Sequence, residues 1–351
     1  MRLLVLGGTG FVGGAVVAEA VRRNWPVTVF NRGLHGATPE GVHRLRGDRT
    51  APDGLAALAG GEWDLVVDTW DGAPRAVRAA ARALRDRAGH YAYVSSGSVY
   101  AHPVPPGAGE EAPVVVAAPD APDGDYPSNK AGGERAAVAV FGDRALLVRA
   151  GLILGPGEDI GRLPWWLLRI ARGGDVLAPG PVDLPVQYID VRDLAAWTLD
   201  RAAAGTGGPF NVISRPGHTT MGELLATAVA ATGSDARLRW TDPEPLLAAG
   251  VVPWNDLPIW VPVGHEFRWL QERGVDKAYA AGLICRPAAE TVVDTWHWLR
   301  RVGSVPQRAG RPARAPVGLD PAREAALLAA DRPAARISVP GPPRPGSARA
   351  G

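Results

Sequence analysis

Apolar and polar positions follow two rhythms along this chain. Leu3–Leu6 is an unbroken apolar run, of the length and composition of a buried parallel strand. Phe11, Val12, Ala15, Val16 and Val21 then recur at helical spacing. The strand signal returns at residues 26–31, more weakly at 42–47, and again at 63–69, 91–95 and 145–149. The helical signal returns at 74–87, with Ala, Val and Leu on one face and arginines on the other, and at 128–141. Residues 191–204 and 210–213 read as a last helix and strand that rejoin the same sheet. Strands and helices in alternation predict an α/β fold, a doubly wound parallel sheet of the Rossmann type.

The pattern breaks elsewhere. Residues 152–190 and 215–302 are rich in Pro, Gly and Trp with shorter periodic segments, and are expected to form a smaller C-terminal substrate lobe. Residues 1–151 and 191–214 would then make the dinucleotide-binding domain, with the lobe over the carboxyl ends of its strands, where open α/β sheets bind ligands. Ten of the twelve tryptophans lie beyond Asp64. Core packing accounts for most residues of this kind, but Trp70, Trp165, Trp166, Tyr188, Trp254 and Trp260 are candidates for an aromatic-lined substrate pocket. From residue 303 to 351, Pro, Ala, Arg and Gly dominate; one short helix at Pro321–Ala330 is plausible and the rest reads as mostly disordered.

Gly7, Gly10 and Gly13 sit at G-x-x-G-x-x-G spacing between the first strand and the first helix. One glycine permits the tight turn, one lets the backbone approach a pyrophosphate, and one lets the helix pack on the strand. The helix N-terminus offers free N–H groups to the phosphates. Gly7, Thr9, Gly10, Phe11, Val12 and Gly13 are therefore expected at the cofactor. The second strand ends in Asn31-Arg32-Gly33, where a carboxylate would suit the ribose hydroxyls of NAD(H). A guanidinium there suits a 2′-phosphate, so NADP(H) is favoured over NAD(H), although a solvated surface arginine is the plainer alternative. Asp48-Arg49, after the third strand, reads either as an adenine contact or as a turn. Thr69 and Trp70, after the fourth strand, and Ser95, ending the fifth, complete the expected cofactor set.

Tyr126 and Lys130 are four residues apart, on one face of a predicted helix. A phenol titrates near a pKa of about 10, and a neighbouring ammonium favours its phenolate. Ser96 and Ser98 emerge from the strand end where a substrate carbonyl would lie, and one serine donating to its oxygen would complete an electrostatic clamp. Lys130 is one of only two lysines, against 36 arginines.

Bulk properties exclude several classes. Apolar content of 46% and charged content of 21% are those of a globular protein. A single cysteine, Cys285, rules out an internal disulfide framework and fits a reducing cytoplasm. A chain that opens on a strand is expected to lack a secretory leader, and no run reaches the ~20 apolar residues of a membrane helix. The net charge of +2 divides into −3 for residues 1–302 and +5 for 303–351, which argues against nucleic-acid binding by the folded body. The seven histidines form no ligand-spaced pair, and no metal is expected.

Together, Gly7-x-x-Gly10-x-x-Gly13, Ser95-Ser96-Gly-Ser-Val-Tyr100 and Tyr126-x-x-x-Lys130 resemble the short-chain dehydrogenase/reductase superfamily. The closest match is its extended, NAD-dependent epimerase/dehydratase branch. Pro258-Ile-Trp-Val-Pro262 is similar to an actinobacterial reductase-like subgroup. The resemblance implies Ser96 as the catalytic hydroxyl, Tyr126 as acid/base, Lys130 as the ribose-binding lysine, and a homodimer built on two helices per subunit. Gly97-Ser98 stand where sugar 4,6-dehydratases carry Asp-Glu, which argues against that chemistry. The family's small-residue segment after strand four is replaced by Val67-Asp-Thr-Trp-Asp-Gly72. An NADP(H)-dependent oxidoreductase acting on a small-molecule carbonyl or secondary alcohol is therefore expected. A sugar epimerase and a non-catalytic nucleotide-sensing or RNA-associated protein are the alternatives.

Overall fold

The computed structural model describes residues 1–34, 38–305 and 317–330. In chain order it begins β1 (Leu3–Leu6), α1 (Phe11–Arg22), β2 (Val27–Asn31), β3 (His43–Arg46), β4 (Trp63–Asp68) and α2 (Pro74–Leu84). It continues through β5 (Ala88–Ser96), α3 (Tyr126–Phe141), β6 (Ala145–Ala150), β7 (Ile153–Leu154), α4 (Arg162–Ala171) and β8 (Asp175–Pro179). Then follow β9 (Pro185–Val186), β10 (Ile189–Asp190), α5 (Val191–Ala203), β11 (Gly208–Val212), β12 (Thr219–Thr220) and α6 (Met221–Thr232). The last elements are β13 (Arg237–Thr241), α7 (Pro243–Ala248), α8 (Asp276–Ala280), α9 (Ala288–Val302) and α10 (Pro321–Ala330).

β1 is apolar at every position because it is buried on both faces and both edges. Its neighbours β2 and β4 run parallel to it, with Leu3 opposite Val27 and Leu65. Leu3 and Val5 face Val16, Val17, Leu194 and Trp197 of α1 and α5, whereas Leu4 and Leu6 face Val77, Leu84 and Ala136 of α2 and α3. The seven-stranded sheet has the order β11-β6-β5-β4-β1-β2-β3, all neighbours parallel. The order reverses between β1 and β4, and the crevice at such a switch point is where a ligand binds. The doubly wound α/β expectation holds.

α3 starts two residues earlier than the periodicity of 128–141 indicates. Asp125 caps it by accepting from the Ser128 amide at 2.7 Å, and Pro127 lies in the first turn, where its missing N–H costs nothing. That extension puts Tyr126 at the helix start.

A second core lies between α4, α6 and α9, supported by the short pairs β8–β13, β9–β12 and β7–β10. It corrects the expected pocket. Trp166, Trp260 and Tyr188 are fully buried there, and Trp165 packs edge-on against Trp166 with ring centroids 4.7 Å apart. The Trp166 and Trp260 indoles donate to the carbonyls of Pro258 and Gly180 at 2.8 and 3.0 Å, which satisfies their buried N–H groups. A lobe this small spends its largest apolar side chains on its own interior. α10 docks on it through Glu324, which accepts from Arg169 Nε and from the Leu177 amide. The expectation of a mostly disordered tail falls otherwise on residues 306–316 and 331–351, outside the described residues. Among the described residues, no helix is long and apolar enough to cross a membrane.

Candidate active site

The carboxyl ends of β1, β2, β4, β5 and β6 open into one cleft of about 990 Å³. That is the upper end of the range of roughly 300–1,000 Å³ for small-molecule sites, and suits an extended ligand. At its floor the glycine turn follows from sterics. Gly7 has φ +99°, and a Cβ at Gly13 would stand 2.3 Å from the Gly7 carbonyl oxygen. Thr9, Gly10, Phe11 and Val12 line the cleft beside them, with the α1 N-terminus turned toward it. A dinucleotide pyrophosphate fits this cradle, which side chains at these positions would fill.

Asn31 and Arg32 line the cleft at the end of β2. Asn31 Oδ1 accepts from the Gly33 amide at 2.9 Å, while its buried Nδ2 has no partner among the described residues. A buried donor left unsatisfied costs free energy that a ligand acceptor would return. Asp48 turns back on Thr50, accepting from its amide and hydroxyl at 2.9 and 2.6 Å, and these bonds hold its carboxyl below the usual range. This is the turn geometry anticipated as one alternative. Arg49 lines the cleft beside Asp48. It grips Asp68 bidentately at 2.7 and 2.8 Å and lies over the Trp70 ring, 5.0 Å from its centroid. Burial pushes the Asp68 carboxyl up, but the Arg49 charge and three further hydrogen bonds outweigh it and hold it low. Removing one partner of such a buried pair costs on the order of 3–5 kcal/mol. Thr69 Oγ1 donates to the Leu6 carbonyl at 3.0 Å, tying β4 to β1 at the cleft edge.

The reacting end is built by β5 and α3. Lys130 is buried, and its ammonium donates to the carbonyls of Trp70 and Val94 at 2.6 and 2.7 Å, 5.9 Å from the Tyr126 ring centroid. Tyr126 is 47% exposed and faces the same cleft. The three serines separate by role. Ser95 Oγ turns under the sheet to Glu134 at 2.6 Å, and Glu134 is held bidentately by Arg149 at 2.9 Å on both oxygens. Ser96 caps the turn that follows, accepting from the Ser98 amide at 3.1 Å and donating to its hydroxyl at 3.2 Å. Ser95, Ser96 and Ser98 all line the cleft, as does Trp70.

Of the expected pocket aromatics, Trp70 and Trp254 line the cleft; Trp165, Trp166 and Tyr188 do not. Trp254 holds φ +70°, an outlier for so bulky a residue, with the Arg162 guanidinium 4.7 Å from its ring centroid. Sequence reasoning missed Arg162, Arg192, Arg273 and Trp298, which also line it. Arginines in a chain with 36 of them carry no signal of their own, and Trp298 reads as part of an amphipathic helix. His102 packs edge-on against Trp269 at 4.9 Å, outside the lining. Among the described residues, no three His, Cys, Asp or Glu side chains converge as a metal site would require.

Residues 55–212 match the model of the NAD dependent epimerase/dehydratase family. This agrees with the resemblance to extended short-chain dehydrogenases/reductases carried by the serine and Tyr-Lys motifs. No curated protein sequence matches the chain. Its fold is shared with solved structures at low identity. An epimerase candidate of Burkholderia cenocepacia J2315 aligns with TM-score 0.65 and 22% identity, covering 86% of this chain and 98% of that one. The UDP-glucose 4-epimerase of Thermus thermophilus, solved with NAD, gives 0.58 and 21%, covering 86% and 99%. The UDP-glucuronic acid 4-epimerase of Bacillus cereus, also with NAD, gives 0.61 and 13%, covering 87% and 100%. The match is thus to a family of NAD-dependent enzymes.

Proposed function

We propose that the protein is an NADP(H)-dependent oxidoreductase that interconverts a carbonyl and a secondary alcohol on a small molecule. The observation that carries this reading is the placement of Tyr126, Lys130 and Ser96 around the reacting end of the cleft that the glycine turn opens. When bound, the nicotinamide nucleotide supplies or accepts the hydride. Tyr126 exchanges the proton at the substrate oxygen, Ser96 donates a hydrogen bond to that oxygen, and Lys130 fixes the ribose and favours the phenolate. The 2′-phosphate preference rests on Asn31-Arg32 at the end of β2: a buried amide donor without an acceptor among the described residues, beside a guanidinium, with β2 itself ending in no carboxylate.

A second reading has support in the structural neighbours named UDP-sugar 4-epimerases, two of which hold NAD. An epimerase would oxidise and re-reduce its substrate on a retained nucleotide. Acid denaturation of the protein as purified, followed by quantification of released nucleotide, separates the two. Empty sites that refill with NADPH at least about tenfold more tightly than with NADH fit the oxidoreductase. Near one equivalent of retained NAD(H) fits the epimerase and overturns the proposal.

Two substitutions test the assignments within the site. Tyr126→Phe is expected to lower turnover by about 10²–10⁴-fold while nucleotide affinity stays within about twofold. Unchanged turnover would remove Tyr126 from the chemistry. Arg32→Ser is expected to weaken NADPH binding about tenfold and leave NADH binding unchanged, and equal losses for both nucleotides would remove Arg32 from discrimination. The same reading proposes a cytoplasmic homodimer formed on α2 and α3.

A further inference from the structure

Arg273 is the most deeply buried cation at the cleft, with 1% of its surface exposed, and it lines the reacting end rather than the nucleotide end. Its backbone is clamped on both sides by one side chain. The Arg273 amide donates to Gln187 Oε1, and its carbonyl accepts from Gln187 Nε2, both at 2.9 Å. Gln187 is itself fully buried and tied to the Ser214 carbonyl at 2.7 Å.

The guanidinium is admitted by two glycines. A Cβ at Gly97 would stand 1.5 Å from Nη1, and one at Gly151 would stand 2.4 Å from Nη2. Gly97 directly follows Ser96, and Gly151 directly follows β6, so the cation lies under the loop that presents the serine hydroxyls. Among the described residues it makes no ion pair, and both Nε and Nη1 are buried without an acceptor. Burial lowers its pKa to about 10, which leaves it charged at neutral pH. Every other strongly buried arginine named above is matched: Arg49 by Asp68, Arg149 by Glu134 and Arg169 by Glu324.

A rigidly held, desolvated guanidinium with open donors is unfavourable unless a ligand brings the anion. We propose that Arg273 binds a carboxylate of the substrate, next to the carbon that exchanges hydride, so that the substrate is a keto acid or its hydroxy-acid counterpart. The planar fork of the guanidinium matches a carboxylate, and its place beside Ser96 sets the carboxylate close to the reacting carbonyl. This rests on the oxidoreductase reading for the hydride step, but the anion site is testable apart from it.

The test uses the full chain, with and without NADP⁺, titrated separately with oxalate, oxamate and inorganic phosphate and followed by thermal unfolding. The carboxylates are expected to raise the unfolding temperature of the wild type, and Arg273→Gln to weaken their binding about tenfold or more with NADP⁺ affinity unchanged. Without anions, Arg273→Met is expected to unfold at a temperature equal to or above the wild type, because it removes an unmatched charge while keeping the apolar stem. A purely structural arginine would give a lower one, which would count against the proposal. Phosphate binding without carboxylate binding, no anion response in the wild type, or a response that survives in both variants each overturns it. Should Arg273→Gln fail to fold, the wild-type titration and the methionine variant decide. Failure of every nicotinamide nucleotide to bind would sink the oxidoreductase reading instead, while the anion titration of the nucleotide-free protein still reports on Arg273.

Discussion

Glu158 shows how one buried side chain can make the stability of the fold depend on pH. It has no solvent exposure, and its carboxyl accepts from the amides of Arg162 at 2.6 Å and Leu163 at 3.3 Å, the open N–H groups at the start of α4. Burial pushes its pKa up to about 7, and the Arg162 charge and the two amide bonds only partly offset that. The folded protein therefore holds a proton that the unfolded chain has lost. Stability from this group is full below about pH 4.5 and is lost as pH rises through 7, a fall on the order of 1–3 kcal/mol. Glu158→Gln, which cannot ionise, should remove that slope and leave a constant offset. Thermal unfolding from pH 5 to 8 checks it: parallel curves for wild type and variant would show that Glu158 does not titrate in this window. Arg273 and Glu158 were both illegible beforehand. A charge in a polar stretch reads as solvated, and its burial is decided by elements more than eighty residues away, such as Gln187 against Arg273.

At the scale of elements, the sequence was far more legible. A strand buried on both faces reads as a nearly continuous apolar run: β1 is one throughout, and β4 and β6 are broken only by Asp64, Asp68 and Arg149, the last two in buried ion pairs. The turn between β1 and α1 was legible for a different reason: backbone crowding admits only glycine. Gly13→Ala would drive a methyl onto the Gly7 carbonyl oxygen, which is backbone and cannot step aside. The expected result is a stability loss of about 1–3 kcal/mol and nucleotide binding weakened at least about tenfold. Chemical denaturation and nucleotide titration measure the two, and an alanine variant that binds as the wild type does would contradict the role given to the turn. The second core was read less well. Trp165, Trp166, Tyr188 and Trp260 have the composition of a binding surface and the location of a hydrophobic interior, and periodicity does not distinguish them where segments are short.

Taken whole, the molecule joins two cores along one crevice. The nucleotide side is made from residues up to Lys130, on β1, β2, β4, β5 and the start of α3. The opposite wall comes from residues beyond Ala150, including Arg162, Trp254, Arg273 and Trp298. α10 is fixed to the second core through Glu324, so this part of the basic tail is structure that the lobe uses. Arg149 and Glu134 lock α3 to β6 in a buried pair to which Ser95 also donates.

Because the two walls arise from separate stretches of chain, they are free to diverge at different speeds. Substitutions beyond Ala150 reshape one wall of the crevice and leave the residues of the glycine turn and the Tyr126–Lys130 pair as they are. A lineage built this way rewrites one face of its crevice and keeps the other.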